Sequence, residues 1–289
     1  MAIPNFSLTS DGEAFIRKHC NGSGNSLLRG KKRKILPFAD GVTSDTVWTS
    51  DPNINGGITT NGQLGENLID WYNLYCNEAK IDANMMAIQT FLESSYIVWN
   101  YPITDDITKE STSMSLGQFL MSTFYEAAIG NNYDSKGGLI ITTDERNRLT
   151  VGLPIGFTND KNYYIAGSKY IPYRKILFQN VIDNPKISIK LQVRYMNYIA
   201  NLTSQHKLAS NALFGYNRGP ALIKNTYFET VANTRRKKGD EYTLTGINYV
   251  HKVFRHLYDS FGNKELGMDI PISEFNTFTA GVDSSNHYS

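Results

Sequence analysis

The sequence predicts a mainly α chain of the α+β kind, in which a helical domain carries a small β-containing insertion. Apolar residues recur at helical spacing in separate segments from Leu64 to Tyr258, and between residues 133 and 182 that period gives way to short apolar runs around a polar tetrapeptide. Composition says that the chain folds: 40% hydrophobic, 12% aromatic and only 19% charged residues exclude intrinsic disorder. At 289 residues the chain is near the upper limit for one core, so one large domain with insertions or arms is expected.

Residues 1–63 are rich in Gly, Asn, Ser and Thr, lack a sustained helical period and read as an extended arm. Leu64, Leu68, Trp71, Tyr72 and Tyr75 then lie on one helical face, and a break at Ile81-Asp82 precedes a second helix through Met85, Ile88 and Leu92. A third helix is expected from Ser115 to about Ile129, with Leu116, Leu120 and Ala127 on one side and Gly130-Asn131-Asn132 as its stop. In the 133–182 insertion, LIITT and RLTVGL flank Asp144-Glu145-Arg146-Asn147 and predict a β-hairpin. Helical spacing resumes at Ile187, Leu191, Tyr195, Tyr198 and Leu202, continues through Leu208, Ala212 and Leu213, and returns at Val250, Val253, Phe254, Leu257 and Tyr258. Residues 262–289 read as an irregular tail.

Charge and cysteine usage narrow the function. Twenty-nine Lys+Arg against 27 Asp+Glu leave a net charge of +2, so the whole-protein field that drives non-specific nucleic-acid binding is missing. The basic runs 29–34 and 235–238 fit solvated loops, or contacts to an anionic polymer or a partner. Cys20 and Cys76 have no zinc or disulfide spacing and no histidine partner, which makes them buried thiols rather than nucleophiles. No His pair has HExxH spacing, so neither a metal nor another cofactor is expected. The amino terminus has no basic start followed by an apolar run, and no stretch is apolar enough for a membrane span, so no export signal is expected.

The candidate for chemistry is Glu93, at the end of the apolar helix in AIQTFLESSY. Beside Phe91, Leu92 and Tyr96 a carboxylate is partly desolvated, which favours the neutral acid and prepares it to donate a proton. A solvated or salt-bridged helix-end glutamate is the alternative on these residues alone.

Five segments set Glu93 in context: LIDWYNLYCNEAKIDANMMAIQTFLESSY (68–96), MSLGQFLMSTF (114–124), NPKISIKLQVRYMNYI (184–199), ALFGYNRGP (212–220) and GINYVHKVFRHL (246–257). In this order, over residues 64–261, they resemble the lysozyme-like lytic transglycosylases that cut peptidoglycan, the group of soluble lytic transglycosylases and goose-type lysozymes. The resemblance implies a lysozyme-like fold for 64–261 and, for Glu93, the place of the single catalytic acid in an "E-S" pair with Ser94. Leu116 and Gln118 match a Gly-Leu-Met-Gln segment whose Gln lines the sugar cleft, with Ser115 in place of the Gly and Gly117 in place of the Met. Tyr216, Asn217, Gly219 and Pro220 match a Tyr-Asn-x-Gly-Pro turn whose Tyr bonds near the catalytic carboxylate. Asn248, Tyr249 and Val250 resemble the last motif, although Thr245 and Ile247 stand where Glu and Arg are usual. The substrate-binding set implied is thus Ser115, Gln118, Tyr216, Asn217 and Tyr249.

The implied activity is cleavage of the bond between N-acetylmuramic acid and N-acetylglucosamine in peptidoglycan glycan strands. Glu93 would protonate the glycosidic oxygen and then, ionised, take the proton of the muramic 6-hydroxyl as an anhydro ring closes. A goose-type muramidase would instead need a second carboxylate to hold water, and Asp105, Asp106 and Glu110, in the 25-residue spacing between Glu93 and Gln118, are the candidates. Abundant Asn, Lys, Ile and Tyr suggest AT-rich coding and, with no export signal, a bacteriophage protein of a low-GC host. It would be made in the host cytoplasm and reach the wall as an endolysin or as a virion-associated lysin. The arms would then bind tail or virion proteins, and a structural virion component that keeps the fold stays open, whereas a non-catalytic sugar-binding module is disfavoured by the retained Glu93.

Overall fold

A computed structural model of the chain describes residues 6–21, 58, 60–96, 113–120, 123, 127–128, 139–154, 176–177, 180–181, 183–202, 208–219, 241–270 and 273. Among these residues the chain is mainly helical. It divides into two compact units, Met1–Asn197 and Tyr198–Ser289, so a boundary falls inside the single domain expected over 64–261.

The first unit is organised around α3 (Ala83–Ser94), a helix with little polar exterior. Every residue from Ala83 to Thr90 is buried, which is why its sequence, ANMMAIQT, has no charged side chain. Asp82 caps its start by accepting from the Met85 amide at 2.7 Å. The preceding α2 (Asn61–Ala79) is capped by Thr60, whose hydroxyl accepts from the Gln63 amide, and it stops at Lys80 in left-handed backbone. Leu64, Leu68, Tyr72 and Cys76 are its buried stripe, facing inward as the 3–4 spacing requires.

Part of the expected N-terminal arm is not extended. Ser10–Asn21 forms α1, which packs on α2 and α3 through Leu8, Phe15, Ile16 and Cys20. Its start is fixed to α3 by Asn84, whose Oδ1 accepts from the Thr9 amide and hydroxyl at 3.1 Å each. Gly12 permits this approach, since a Cβ there would lie 2.2 Å from Asn84 Oδ1. Further on, Arg17 is paired with Glu66 of α2 at 2.8 Å. The arm's low-complexity flanks hide a twelve-residue helix from a search for long periods.

Two further expectations are corrected. The helix expected from Ser115 is replaced by a tight antiparallel hairpin, β1 (Ser113–Met114) and β2 (Phe119–Leu120), joined by the turn 115–118. Further along the expected helix, the described residues 123, 127 and 128 are helical. In the 133–182 insertion, the expected β-hairpin around Asp144–Asn147 is instead the helix α4 (Thr143–Thr150). Thr142 accepts from the Glu145 amide while the Glu145 carboxylate accepts from the Thr142 amide, a reciprocal cap that starts a helix on a sequence otherwise read as a turn. The 155–175 part of that insertion lies outside the described residues.

Helix α5 (Pro185–Ala200) completes the layer. Its residues 187–197 are all buried, and its polar members have partners on every side. Lys190 reaches both oxygens of Glu145 at 2.7–2.8 Å and so holds α4 down, while the Arg194 guanidinium donates to the Leu139 carbonyl. Asn197 donates to the Ala79 carbonyl at 2.7 Å.

In the second unit α6 (Ala209–Arg218) packs on α7 (Glu241–Ser260). Leu213 and Phe214 meet a stripe of Val250, Val253, Phe254 and Leu257 that repeats at helical spacing. Asp269, in the turns that follow α7, accepts from the Ser210 amide and hydroxyl at 2.9 and 2.6 Å, which fixes the start of α6. Among the described residues no helix is long and apolar enough to cross a membrane.

Candidate functional site

Glu93 sits in the last turn of α3, half-buried, where the helix leaves the core. What fixes this turn is a buried polar network just before it. The Tyr72 hydroxyl of α2 donates to Thr90 Oγ1 at 2.5 Å, and Thr90 Oγ1 lies 2.7 Å from Gln192 Oε1 of α5 and 2.9 Å from the Met86 carbonyl. Gln192 also donates to Gln89 at 3.5 Å. Burial pushes the Tyr72 hydroxyl far above the ordinary tyrosine range, so it stays a donor at any physiological pH.

Gln192 thus joins α5 to Gln89 and Thr90 of α3, and Asn197 joins it to the end of α2 at the Ala79 carbonyl. The Ser188 hydroxyl is 2.9 Å from that of Ser115, so α5 also holds the 115–118 turn. Gln118 closes the turn, its amide nitrogen and its side-chain Nε2 both donating to the Ser115 carbonyl at 3.2 and 2.8 Å.

Both segments hold unusual backbone. Ser95 and Tyr96, directly after the Glu93-Ser94 pair, have φ of 52° and 58°, and Ser115 and Gln118 have φ of 59° and 48°. None is glycine, and left-handed backbone costs about 1–2 kcal/mol for such residues. The surroundings offset that cost: the Tyr96 ring is buried and its hydroxyl donates to the Ala87 carbonyl at 2.8 Å, while Ser94 Oγ donates to the Thr90 carbonyl at 2.9 Å. On the other flank, Phe91 makes an edge contact with Phe15 at 5.2 Å and meets the His19 ring at 4.2 Å, both from α1. Strain of this kind concentrates where a chain must hold functional groups in a set geometry.

The sequence candidates therefore separate. Glu93 and Gln118, both half-buried, belong to the first unit. Ser115 is wholly enclosed, with its hydroxyl on Ser188, so it supports the turn and has no surface to offer a substrate. Tyr216 and Asn217 lie half-buried in the last turn of α6, and Asn217 Oδ1 accepts from Arg218 Nε at 2.7 Å. The helix ends at Gly219, whose φ of 93° and ψ of 137° leave the helical region. Tyr249 is buried on α7, one turn from the point where Gly246 lets Phe214 and Arg218 of α6 approach. Asp105, Asp106, Glu110 and Pro220 lie outside the described residues.

The residues missing from the sequence list are Gln89, Thr90 and Gln192, which form the network before the Glu93 turn, and Ser188, which holds the Ser115 turn. Their signal is legible afterwards: Gln89 and Thr90 are adjacent polar residues in the otherwise apolar run of α3, and Ser188 and Gln192 are four apart on α5. The cysteines are both buried, and burial raises the Cys20 thiol to about 12 and the Cys76 thiol well above its ordinary range, which excludes a thiolate nucleophile at neutral pH. Among the described residues no group of three His, Cys, Asp or Glu could hold a metal ion. Compared with protein-family models, curated proteins and solved structures, the chain matches none of them.

Proposed function

We propose that the chain is a lysozyme-like lytic transglycosylase that cleaves the glycan of peptidoglycan with Glu93 as general acid and then base. What supports the reading is left-handed backbone at four non-glycine residues, Ser95 and Tyr96 just after Glu93 and Ser115 and Gln118 in the turn, with one helix, α5, bonded to both segments through Gln192–Thr90 and Ser188–Ser115. Gln118 would orient a sugar substituent through neutral hydrogen bonds.

The enzyme reading extends to a bacteriophage origin, with synthesis in the host cytoplasm and delivery as an endolysin or in the particle. A structural virion role drew its support from an N-terminal arm with no part in the core, and α1 has such a part. Mass spectrometry of fragments released from purified peptidoglycan tests the reading: anhydromuramic ends are expected, and Glu93→Gln should reduce their release by about 10²- to 10⁴-fold. Reducing muramic ends would make the chain a goose-type muramidase, and no release at all would leave the structural role.

A further inference from the structure

A cavity of about 440 Å³ in the first unit, within the roughly 300–1,000 Å³ of small-molecule sites, has no part in the arrangement around Glu93. Its apolar wall is Ile58, Trp71, Pro185 and Ile187, all buried. Around that wall stand Asn67 of α2, Asn184 and Lys186 at the start of α5, and the first turns of α4.

Among the described residues the charges that line it cancel: Asp144 and Glu145 against Arg148 and Lys186, two against two. Three of these four are also already engaged, Asp144 with Arg148 at 3.0 Å and Glu145 with Lys190 at 2.7 Å. A strongly charged ligand would have to break one of those pairs. The groups left without a partner among the described residues are the Asn67 side-chain amide, Asn184 Oδ1 and the Lys186 ammonium, since Asn184 donates only its Nδ2, to the Asn180 carbonyl at 2.7 Å. They offer donors and acceptors in nearly equal number on the rim of an apolar wall that includes an indole. A pyranose ring has the complementary surface, with a C–H face that packs on apolar and aromatic atoms and a circumference of hydroxyls that each donate and accept.

We propose that this cavity is a saccharide-binding site, distinct from the Glu93 carboxyl, that takes a neutral pyranose unit. The site does not depend on the proposed cleavage, because none of its residues is assigned to it. It would let the chain hold a glycan whether or not it cuts one. The insertion has a task in this arrangement: α4, pinned by the Glu145–Lys190 pair, closes one side of the cavity.

The test uses the full-length chain with Glu93→Gln, so that the probe is not consumed, and chitotriose, the trimer of N-acetylglucosamine. Hydrogen exchange read by mass spectrometry should show protection by chitotriose over 62–71, 143–150 and 184–188. Adding Asn67→Ala and Lys186→Ala should remove that protection and weaken binding about tenfold or more, at an unchanged melting temperature, because each loses a group that only the ligand uses. Protection confined to 89–96 and 113–120, or an affinity unaffected by the two changes, would overturn the proposal. So would protection of these segments by poly-L-glutamate and not by chitotriose, which would make the cavity an anionic-peptide site. Wall cleavage by the chain with Glu93 intact is scored separately: no fragments together with the expected footprint would end the enzyme reading and leave the saccharide site standing.

Discussion

Thr90→Val probes the device that holds the end of α3. Valine keeps the shape of threonine and its burial, so the change removes one hydroxyl and leaves the packing. Two groups then lose their partner, the Tyr72 hydroxyl at 2.5 Å and Gln192 Oε1 at 2.7 Å, and both side chains are wholly enclosed. A buried polar group left unpaired costs about 1–3 kcal/mol, so the two together should cost about 2–6 kcal/mol, a large share of a typical total of about 5–15 kcal/mol. Tyr72→Phe alone should cost less, about 0.5–1.5 kcal/mol, because Thr90 retains Gln192 and the Met86 carbonyl. Combined with Thr90→Val it should cost less than the sum by about 1 kcal/mol or more, since no orphaned phenol remains. Urea unfolding of the four proteins, followed by circular dichroism, measures all of these. A Thr90→Val protein within about 0.5 kcal/mol of the parent, or additivity in the cycle, would refute the network as the anchor of the Glu93 turn.

Asp82→Asn should be neutral or stabilising at pH 7, because asparagine caps as well as aspartate. Burial is the largest influence on Asp82 and raises its pKa, with backbone donors from Met85 and Asn84 opposing, so the folded chain binds the proton more tightly than the unfolded chain. Its contribution to stability is therefore lost as pH rises from the unfolded value through the folded one. The melting temperature of the variant relative to the parent should rise across that acidic window, and a constant difference would contradict the burial argument. Lys190→Met should cost about 2–3 kcal/mol, less than the ~3–5 kcal/mol of a fully enclosed pair because Glu145 keeps some contact with water, and adding Glu145→Gln should restore part of it in the same unfolding assay. Gly246→Ala should destabilise the α6–α7 packing by about 1–3 kcal/mol, since the new Cβ would lie 2.6 Å from Phe214 Cε2 and 2.7 Å from Arg218 Cγ. A melting curve equal to the parent's would mean that α6 and α7 yield freely there.

The elements legible in the sequence are those whose apolar residues do the packing. Leu64, Leu68 and Tyr72 for α2, Met85 and Ile88 for α3, Ile187 and Leu191 for α5, and Val250, Val253 and Leu257 for α7 are buried at the spacing that predicts them. Where a helix is short and its start is set by polar groups, the apolar period is too brief to register. In α4 only Leu149 is buried, so four polar residues between two apolar runs mimic a hairpin turn. The informative signal was Thr142 three residues before Glu145, a cap pattern that outweighs local β preference once both reciprocal bonds form. In α1 the stripe Leu8, Phe15, Ile16 and Cys20 exists, but Gly, Asn and Ser on both sides dilute it.

The site is less legible for a different reason. A turn that needs left-handed backbone is usually announced by glycine, as the helix end at Gly219 is. At Ser95, Tyr96, Ser115 and Gln118 the same conformation is imposed on residues that do not prefer it, by contacts distant in the chain: Ser188 lies 73 residues from the Ser115 it holds, and Gln192 lies 102 from Thr90. No local pattern can encode such a turn, so the sequence points to Glu93 and Gln118 as residue types and is silent on the geometry that joins them. The same dependence says what must fail together. Loosening α5 at Gln192 should release both the Glu93 turn and the Ser115 turn. Gln192→Leu would thus lower wall cleavage more than its loss of stability alone accounts for, measured at a temperature where the variant is still folded. Full activity in a folded Gln192→Leu protein would mean that α3 holds Glu93 without α5.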